Sequence, residues 1–324
     1  MTVRDLPFHD STSVAIDPPV QWDDAPCPLC GAADAAITME AKDHAASRGP
    51  GLMFPIVQCR VCQLAYTNPR PDQESIAGFY PDDYRPHRRP RKMREPRPSR
   101  WRSWLTGRNA PERRGDLEWV GRGRLLDFGC GGGSFLRRMA DRGWSVTGLD
   151  ASVGAVARVR EELGLNVLMG SLPHPELKPC SFDVVTMWHS LEHVHEPVSV
   201  LRDTFDLLVP GGKLIVACPN RDSWPAKWFG SNWFGLDVPR HVTHFTPATL
   251  HETLSVAGFT VESQRLIRHS DWLRSSAKIA ARDPDFPIWS APLRWKPLAK
   301  AVAWVTYLAG RSDCMMAVAR RPMS

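Results

Sequence analysis

Three groups of residues have the types and spacing to do chemistry. The first is the run LLDFGCGGGSF from Leu125 to Phe135, where Asp127 precedes glycines at 129, 131 and 133. Alternate glycines let a backbone approach a ligand closely and take positive φ. An acid this close would repel a pyrophosphate, so the loop departs from the dinucleotide pattern G-x-G-x-x-G and suits a cationic ligand. A second acid, Asp150, ends the next apolar run, where a bidentate acceptor would hold a ribose diol. The second group is Cys27, Cys30, Cys59 and Cys62, two C-x2-C pairs. Two close pairs can converge on one ion, and four thiolates close a tetrahedral, structural Zn²⁺ shell with no open position for catalysis. Gly31 follows the first pair, as a tight knuckle turn favours, and Gln63 stands at the equivalent place after the second. The third group is His189, His193, His241 and His244. Each is a candidate base, because imidazole exchanges protons near neutral pH. A metal held by His189 and His193 has no evident third ligand nearby.

The elements that must position these groups follow from periodicity. Segments 124–128, 145–150, 166–169, 182–188 and 213–219 are short apolar runs that read as buried strands. Helical spacing covers 134–143, 151–164, 197–208 and 246–259, with Gly143, Gly164, Pro210-Gly211-Gly212 and Gly258 as stops. Residues 259–267 and 313–320 add further strands. Strands alternating with helices at this spacing imply an α/β fold with a doubly wound, mostly parallel sheet. The segment 219–246 is too long for a plain connection and reads as a lid, with Trp224, Trp228 and Trp233 either walling a pocket or capping the sheet and packing the loop. A helical insert spans 270–311. Its Leu298, Val302, Val305 and Leu308 form one stripe, which suits packing over the site or lying on a membrane.

The 324 residues are 43% hydrophobic and 23% charged, an ordinary globular balance. The formal charge of +6 is concentrated. Residues 85–114 hold twelve Lys/Arg and two Glu, leaving the rest of the chain slightly acidic. This Pro/Arg-rich stretch cannot bury a core. The organisation expected is a flexible tail at 1–24, a zinc-knuckle module at 25–84, a basic linker at 85–120 and an α/β domain at 121–324. No signal peptide or spanning run is visible, so a cytoplasmic location is expected, where the cysteines stay reduced.

The run from Arg124 to Asn220 resembles the class I, seven-stranded S-adenosylmethionine (SAM)-dependent methyltransferases. LLDFGCGGG is similar to their first motif and VTGLD to the second. GSLPHPELKPCSFDVVTMWHSLEHVHEP resembles the adenine loop and fourth strand, and LVPGGKLIVACPN the approach to strand five. The resemblance implies a seven-stranded sheet with an antiparallel last strand. It places Asp127, Phe128, Gly129, Cys130, Gly131 and Gly133 around the cofactor's amino-acid moiety, with Cys130 packing as a small hydrophobe. It places Asp150 on the ribose, with Ala151 and Ser152 beside it, and Ser171 and Leu172 at the adenine. It places His189 and Ser190 after strand four, beneath the methyl group, with Trp188 at the end of that strand among the cofactor-binding residues. The order of knuckles, LAYTNPRP, FYPDDY and methyltransferase core also resembles bacterial relatives of sugar C-methyltransferases. CPLC is shared with zinc-bearing guanine-N1 ribosomal RNA methyltransferases, whose fourth ligand is a histidine where this chain has Cys62.

The function expected is methyl transfer from SAM to an O or C atom of a small molecule, such as a sugar nucleotide or cell-envelope saccharide. The amide and aminopurine clamp of this fold is replaced by MWHSLEHV, which turns the expectation away from nitrogen. Two alternatives are an RNA methyltransferase gripping its substrate with the knuckles and basic linker, and an enzyme acting on a lipid-linked or quinol acceptor at a membrane surface. A protein that only senses SAM is a further alternative.

Overall fold

The computed structural model describes residues 19–45, 51–81, 117 and 119–323. Residues 1–18 of the expected tail, and nearly all of the basic linker, lie outside the described residues. The N-terminal module contains β1 (Trp22–Asp23), β2 (Ala35–Lys42), β3 (Met53–Cys59), β4 (Ala65–Thr67) and β5 (Arg70–Pro71). β2, β3 and β4 pair antiparallel, and β1 pairs with β5. Strand pairing thus reaches back to Trp22, inside the stretch expected as tail.

The second part alternates as its periodicity implies. In order come β6 (Arg124–Phe128), α1 (Ser134–Ala140), β7 (Ser145–Asp150), α2 (Val153–Leu163), β8 (Val167–Met169), β9 (Phe182–Trp188), α3 (Pro197–Leu207) and β10 (Leu208–Pro219). α4 (Trp224–Phe229), β11 (Thr243–His244), α5 (Pro247–Val256), β12 (Thr260–Ile267), α6 (Ser270–Ala280), α7 (Lys296–Leu308) and β13 (Cys314–Arg320) complete it. Seven strands form one sheet in the order β12-β13-β10-β9-β6-β7-β8. The strands from β10 to β8 are mutually parallel, and β13 runs antiparallel to both its neighbours. Helices cover both faces, which is why β6 and β9 read as unbroken apolar runs: Leu125, Leu126, Val184 and Val185 are fully buried. The order reverses between β6 and β9, the switch point where ligands of doubly wound sheets bind.

Local signals set most boundaries. The Ser152 hydroxyl accepts from Ala155 N to start α2, and Gly164 ends it in the left-handed region at φ 62°. α3 ends at Leu207, before the Pro-Gly-Gly expected to stop it. Leu208 already pairs with Phe182, and Pro210-Gly211-Gly212 sits inside β10, where the register against β9 shifts. The strand pairing of Leu208 and the proline two residues on both end this helix.

A four-stranded sheet, β11-β4-β3-β2, joins the two halves of the molecule. Thr243 pairs with Tyr66 and His244 with Ala65, so the segment 219–246 supplies a strand to the N-terminal module. Phe54 and Phe79 share one core with Phe229, Trp233, Leu273 and Ala299. Trp233 is buried in that core, the packing alternative of the two expected, while Trp224 and Trp228 are half-buried. The expected stripe on α7 also differs. Ala299, Ala303 and Thr306 face inward, small enough for close approach to α6, while Val305 and Leu308 are exposed.

Candidate active site

β6, β7 and β9 end at one edge of the sheet, and the residues after them meet there. Gly129 follows β6 at φ +71°, and a Cβ on it would lie 2.5 Å from Ser190 Cβ. Only glycine allows this crossing of the loops after β6 and β9. The Ser190 hydroxyl donates to Phe128 O at 2.9 Å and ties the loops together. Asp127 is 2% exposed and accepts from Thr186 Oγ1 at 2.7 Å. Burial pushes its carboxyl up to about 7, Thr186 pulls it down, and Asp150 adds to the rise. Such an acid gains most from a cation placed beside it. Asp150 accepts from Gly131 N at 2.7 Å and Ser152 N at 2.9 Å, which holds the glycine loop against the end of β7.

The other expected cofactor residues divide by burial. Phe128 and Leu172 pack into the main core. Cys130 lies in the core beneath α1, where burial pushes its thiol up, so it packs as a hydrophobe. Ala151 and Ser171 are exposed at the rim. Trp188 packs on Phe135 with ring centroids 5.4 Å apart, and its Nε1 is buried without a hydrogen-bond partner among the described residues. An orphan donor of this kind fits an acceptor atom of a bound ligand, and the two acids at the glycine loop fit the cationic end of a molecule such as SAM.

The four histidines separate by environment. His189 takes φ +56° directly after β9. Its Nδ1 is 3.4 Å from Glu192 Oε1, its Nε2 is 4.0 Å from Cys314 Sγ, and its ring lies 5.0 Å from that of Trp272. Burial would raise the Glu192 carboxyl, but His189, His241 and His193 hold it below the usual range. His193 Nδ1 donates to Arg240 O at 2.9 Å, since a carbonyl can only accept, and Tyr80 Oη lies 2.9 Å from the same nitrogen. Burial, then His241, lowers His193 to about 4. His241 Nδ1 donates to Gly235 O at 2.9 Å. His244 lies in β11, 3.1 Å from the Thr67 hydroxyl, and burial drives it well below its usual value. His189, His193 and His241 therefore gather around Glu192, while His244 sits in the second sheet.

Two further juxtapositions bear on ion binding. Glu192, His193 and His241 bring ligand atoms within 4.8 Å of one another, as do His189, His269 and Cys314. Carbonyl acceptors fix Nδ1 of His193 and His241 as donors, leaving both Nε2 lone pairs available. His193 thus groups with Glu192 and His241, whereas His189 groups with His269 and Cys314, so the His189/His193 pair expected from sequence is divided between two clusters. Glu192, Tyr80, Thr186, Trp272 and Cys314 were not singled out in the sequence. The signal for Glu192 was its place between two candidate histidines in HSLEH, and Tyr80 stands in FYPDDY.

In the N-terminal module, Cys27 and Cys62 sulfurs are 3.4 Å apart, and those of Cys30 and Cys59 are 3.6 Å apart. Four sulfurs about 2.3 Å from a tetrahedral zinc would lie about 3.8 Å apart. The donor set fits. Burial pushes Cys27 up to about 11 and raises Cys62, whereas the amides of Cys62 and Val61 overcome burial to hold Cys59 lower. Gly31 and Gln63 take the same left-handed turn, at φ 74° and 65°. Each amide donates back to the first cysteine of its pair, at 2.8 and 3.0 Å. Gln63 reaches this geometry without being glycine, helped by its side-chain amide donating to Arg60 O at 3.0 Å.

A family model described as a methyltransferase domain matches residues 87–264. The ubiquinone biosynthesis O-methyltransferase of Aeromonas salmonicida is 34% identical over 159 residues, 45% of this chain and 67% of that protein. The protein of the same name from Xanthomonas euvesicatoria is 34% identical over 180 residues, 51% of this chain and 74% of its own. Among solved structures, a SAM-dependent methyltransferase from Mesorhizobium loti is 23% identical, with a TM-score of 0.45 over 63% of this chain and 94% of that one.

Proposed function

The chain belongs to the methyltransferase-domain family, and on that premise we propose that it moves the SAM methyl group to a hydroxyl oxygen of a small molecule. The observation that carries this is the His189–Glu192 pair at the end of β9, against the loop that begins at Gly129. When bound, SAM supplies a methyl group already activated on a sulfonium. The protein has then to hold the acceptor in line and take its proton. Asp127 faces the cationic amino-acid end and Asp150 the ribose. His189 takes the hydroxyl proton at Nε2, and Glu192, 3.4 Å from Nδ1, stabilises the imidazolium that forms. Trp272 and Phe234, with ring centroids 5.6 Å apart, wall the acceptor side. Zn²⁺ in the Cys27, Cys30, Cys59 and Cys62 shell holds the module structurally.

The name shared by the relatives favours a phenolic or quinol hydroxyl over the saccharide expected from sequence. A second reading rests on the tethered histidines: a divalent cation on Glu192, His193 and His241 would lower the pKa of the acceptor hydroxyl. The test is label transfer from methyl-tritiated SAM to a soluble catechol, a hexose nucleotide and bulk RNA, with and without a chelator and added Mg²⁺. Label is expected in the catechol, with His189→Gln lowering kcat by about 10²-fold or more. Label in RNA alone would sink the proposal. Full activity in His189→Gln, lost on chelation and restored by Mg²⁺, would favour the cation.

A further inference from the structure

The insert between β12 and β13 is apolar on its solvent side. Ile288, Trp289, Trp295, Trp304, Val305 and Leu308 are 89%, 45%, 66%, 48%, 56% and 76% exposed. In α7, the exposed residues Ala301, Trp304, Val305 and Leu308 fall at i, i+3, i+4 and i+7, one continuous face opposite the inward Ala299, Ala303 and Thr306. From Phe286 to Arg311 the chain has no Asp or Glu but four cations, Arg294, Lys296, Lys300 and Arg311, of which Arg311 is paired with Asp222 and the other three are left to the rim. Arg268 adds its guanidinium 3.7 Å over the Trp304 ring.

A contiguous apolar surface rimmed by one sign of charge marks an interaction site. Trp and Leu on one face with flanking Lys and Arg suit the headgroup boundary of a bilayer, where the cations meet anionic lipid. The same excess of cations disfavours a second copy, because two such faces would repel. No described helix is long and apolar enough to cross a membrane, so the contact is a surface one. We propose that α7 and the turn before it dock this protein on an anionic bilayer surface. α7 packs on α6, whose Trp272 touches His189, so the helix that meets lipid lies directly against the one that walls the candidate active site.

The test uses the full chain and vesicles of phosphatidylcholine with or without phosphatidylglycerol, read by co-sedimentation, so it needs no turnover and stands apart from the acceptor proposed above. The basic segment 85–114 would also bind anionic vesicles, so the decisive comparison is Trp304→Ser/Leu308→Ser, which leaves every charge in place. Binding to phosphatidylglycerol vesicles by the wild type, weakened about tenfold or more in the variant, is the expected result. Unchanged thermal melting and SAM binding would show that the variant is folded, and Trp304→Phe should bind as the wild type does. Equal binding by wild type and serine variant would overturn the proposal and assign the affinity to the basic segment. No wild-type binding would overturn it as well. A change of oligomeric state in the variant, with vesicle binding intact, would do the same and assign the face to self-association.

Discussion

At the scale of single residues, Asp127 and His193 are held in protonation states that their surroundings choose. Asp127 is raised to about 7 by burial, so its neutral form is favoured in the fold. Its contribution to stability is whole below the unfolded value near 3.8 and is lost as pH rises through about 7. Cofactor-free wild type should therefore lose stability relative to Asp127→Asn between those limits, measured by urea unfolding at several pH values. Asp127→Asn should also weaken SAM binding by about tenfold or more, since a charged partner is lost. His193 runs the other way. Its folded value near 4 lies below its ordinary 6.5, so its contribution is present above 6.5 and lost as pH falls through 4. His193→Asn should flatten that acid limb of the same unfolding curves.

At the scale of elements, two joints carry the site. The glycine loop touches the loop after β9 at Gly129, where a side chain meets Ser190 and the backbone has positive φ. Gly129→Ala should destabilise the fold by about 1–3 kcal/mol, and adding Ser190→Gly should recover part of that by relieving the contact but not the backbone strain. Urea unfolding of both variants checks this. The second joint is the knuckle module. Cys59 ends β3, β3 pairs with β4, and β4 pairs with β11, the strand that follows His241. Zinc removal or Cys59→Ser should therefore lower the melting temperature by several degrees and reduce methyl transfer, although no cysteine of the module touches the candidate base. Methyl transfer undiminished in the metal-free protein would separate the module from the site.

At the scale of the whole molecule, buried ions join the two halves. Arg240 is 1% exposed and contacts Asp43 Oδ1 at 2.7 Å, Asp237 Oδ1 at 2.8 Å and Phe79 O at 2.7 Å. Arg70, equally buried, reaches Asp23, Glu196 and the His195 carbonyl. Tyr80, from the same module, adds its hydroxyl beside His193. The N-terminal part is thus one wall of the candidate site. Removing the Arg240 charge should cost about 3–5 kcal/mol, because it strips two carboxylates of their guanidinium. Arg240→Met should unfold at lower urea, and pairing it with Asp43→Leu should recover part of the loss.

Local pattern in the chain encodes one part of this molecule. Continuous apolar runs marked the central strands, because a parallel strand covered on both faces has no polar alternation. The spacing of Asp127, the glycines and Asp150 was legible because one strand-turn-helix holds them together. The cysteine pairs were legible because two short turns place each pair. The tertiary structure alone decided the pairing of β11 with β4, joining His244 to Ala65 across most of the chain. It alone brought Glu192, His193, His241 and Tyr80 together and sank Arg240 between two aspartates. A buried charge or a strand partner is chosen by what surrounds it in space, and neither hydrophobic period nor short spacing records that. The outward turn of Val305 and Leu308 on α7 has the same cause. The helix was apolar on more than one face, and only the packing of its small residues against α6 decided which face stayed in solvent.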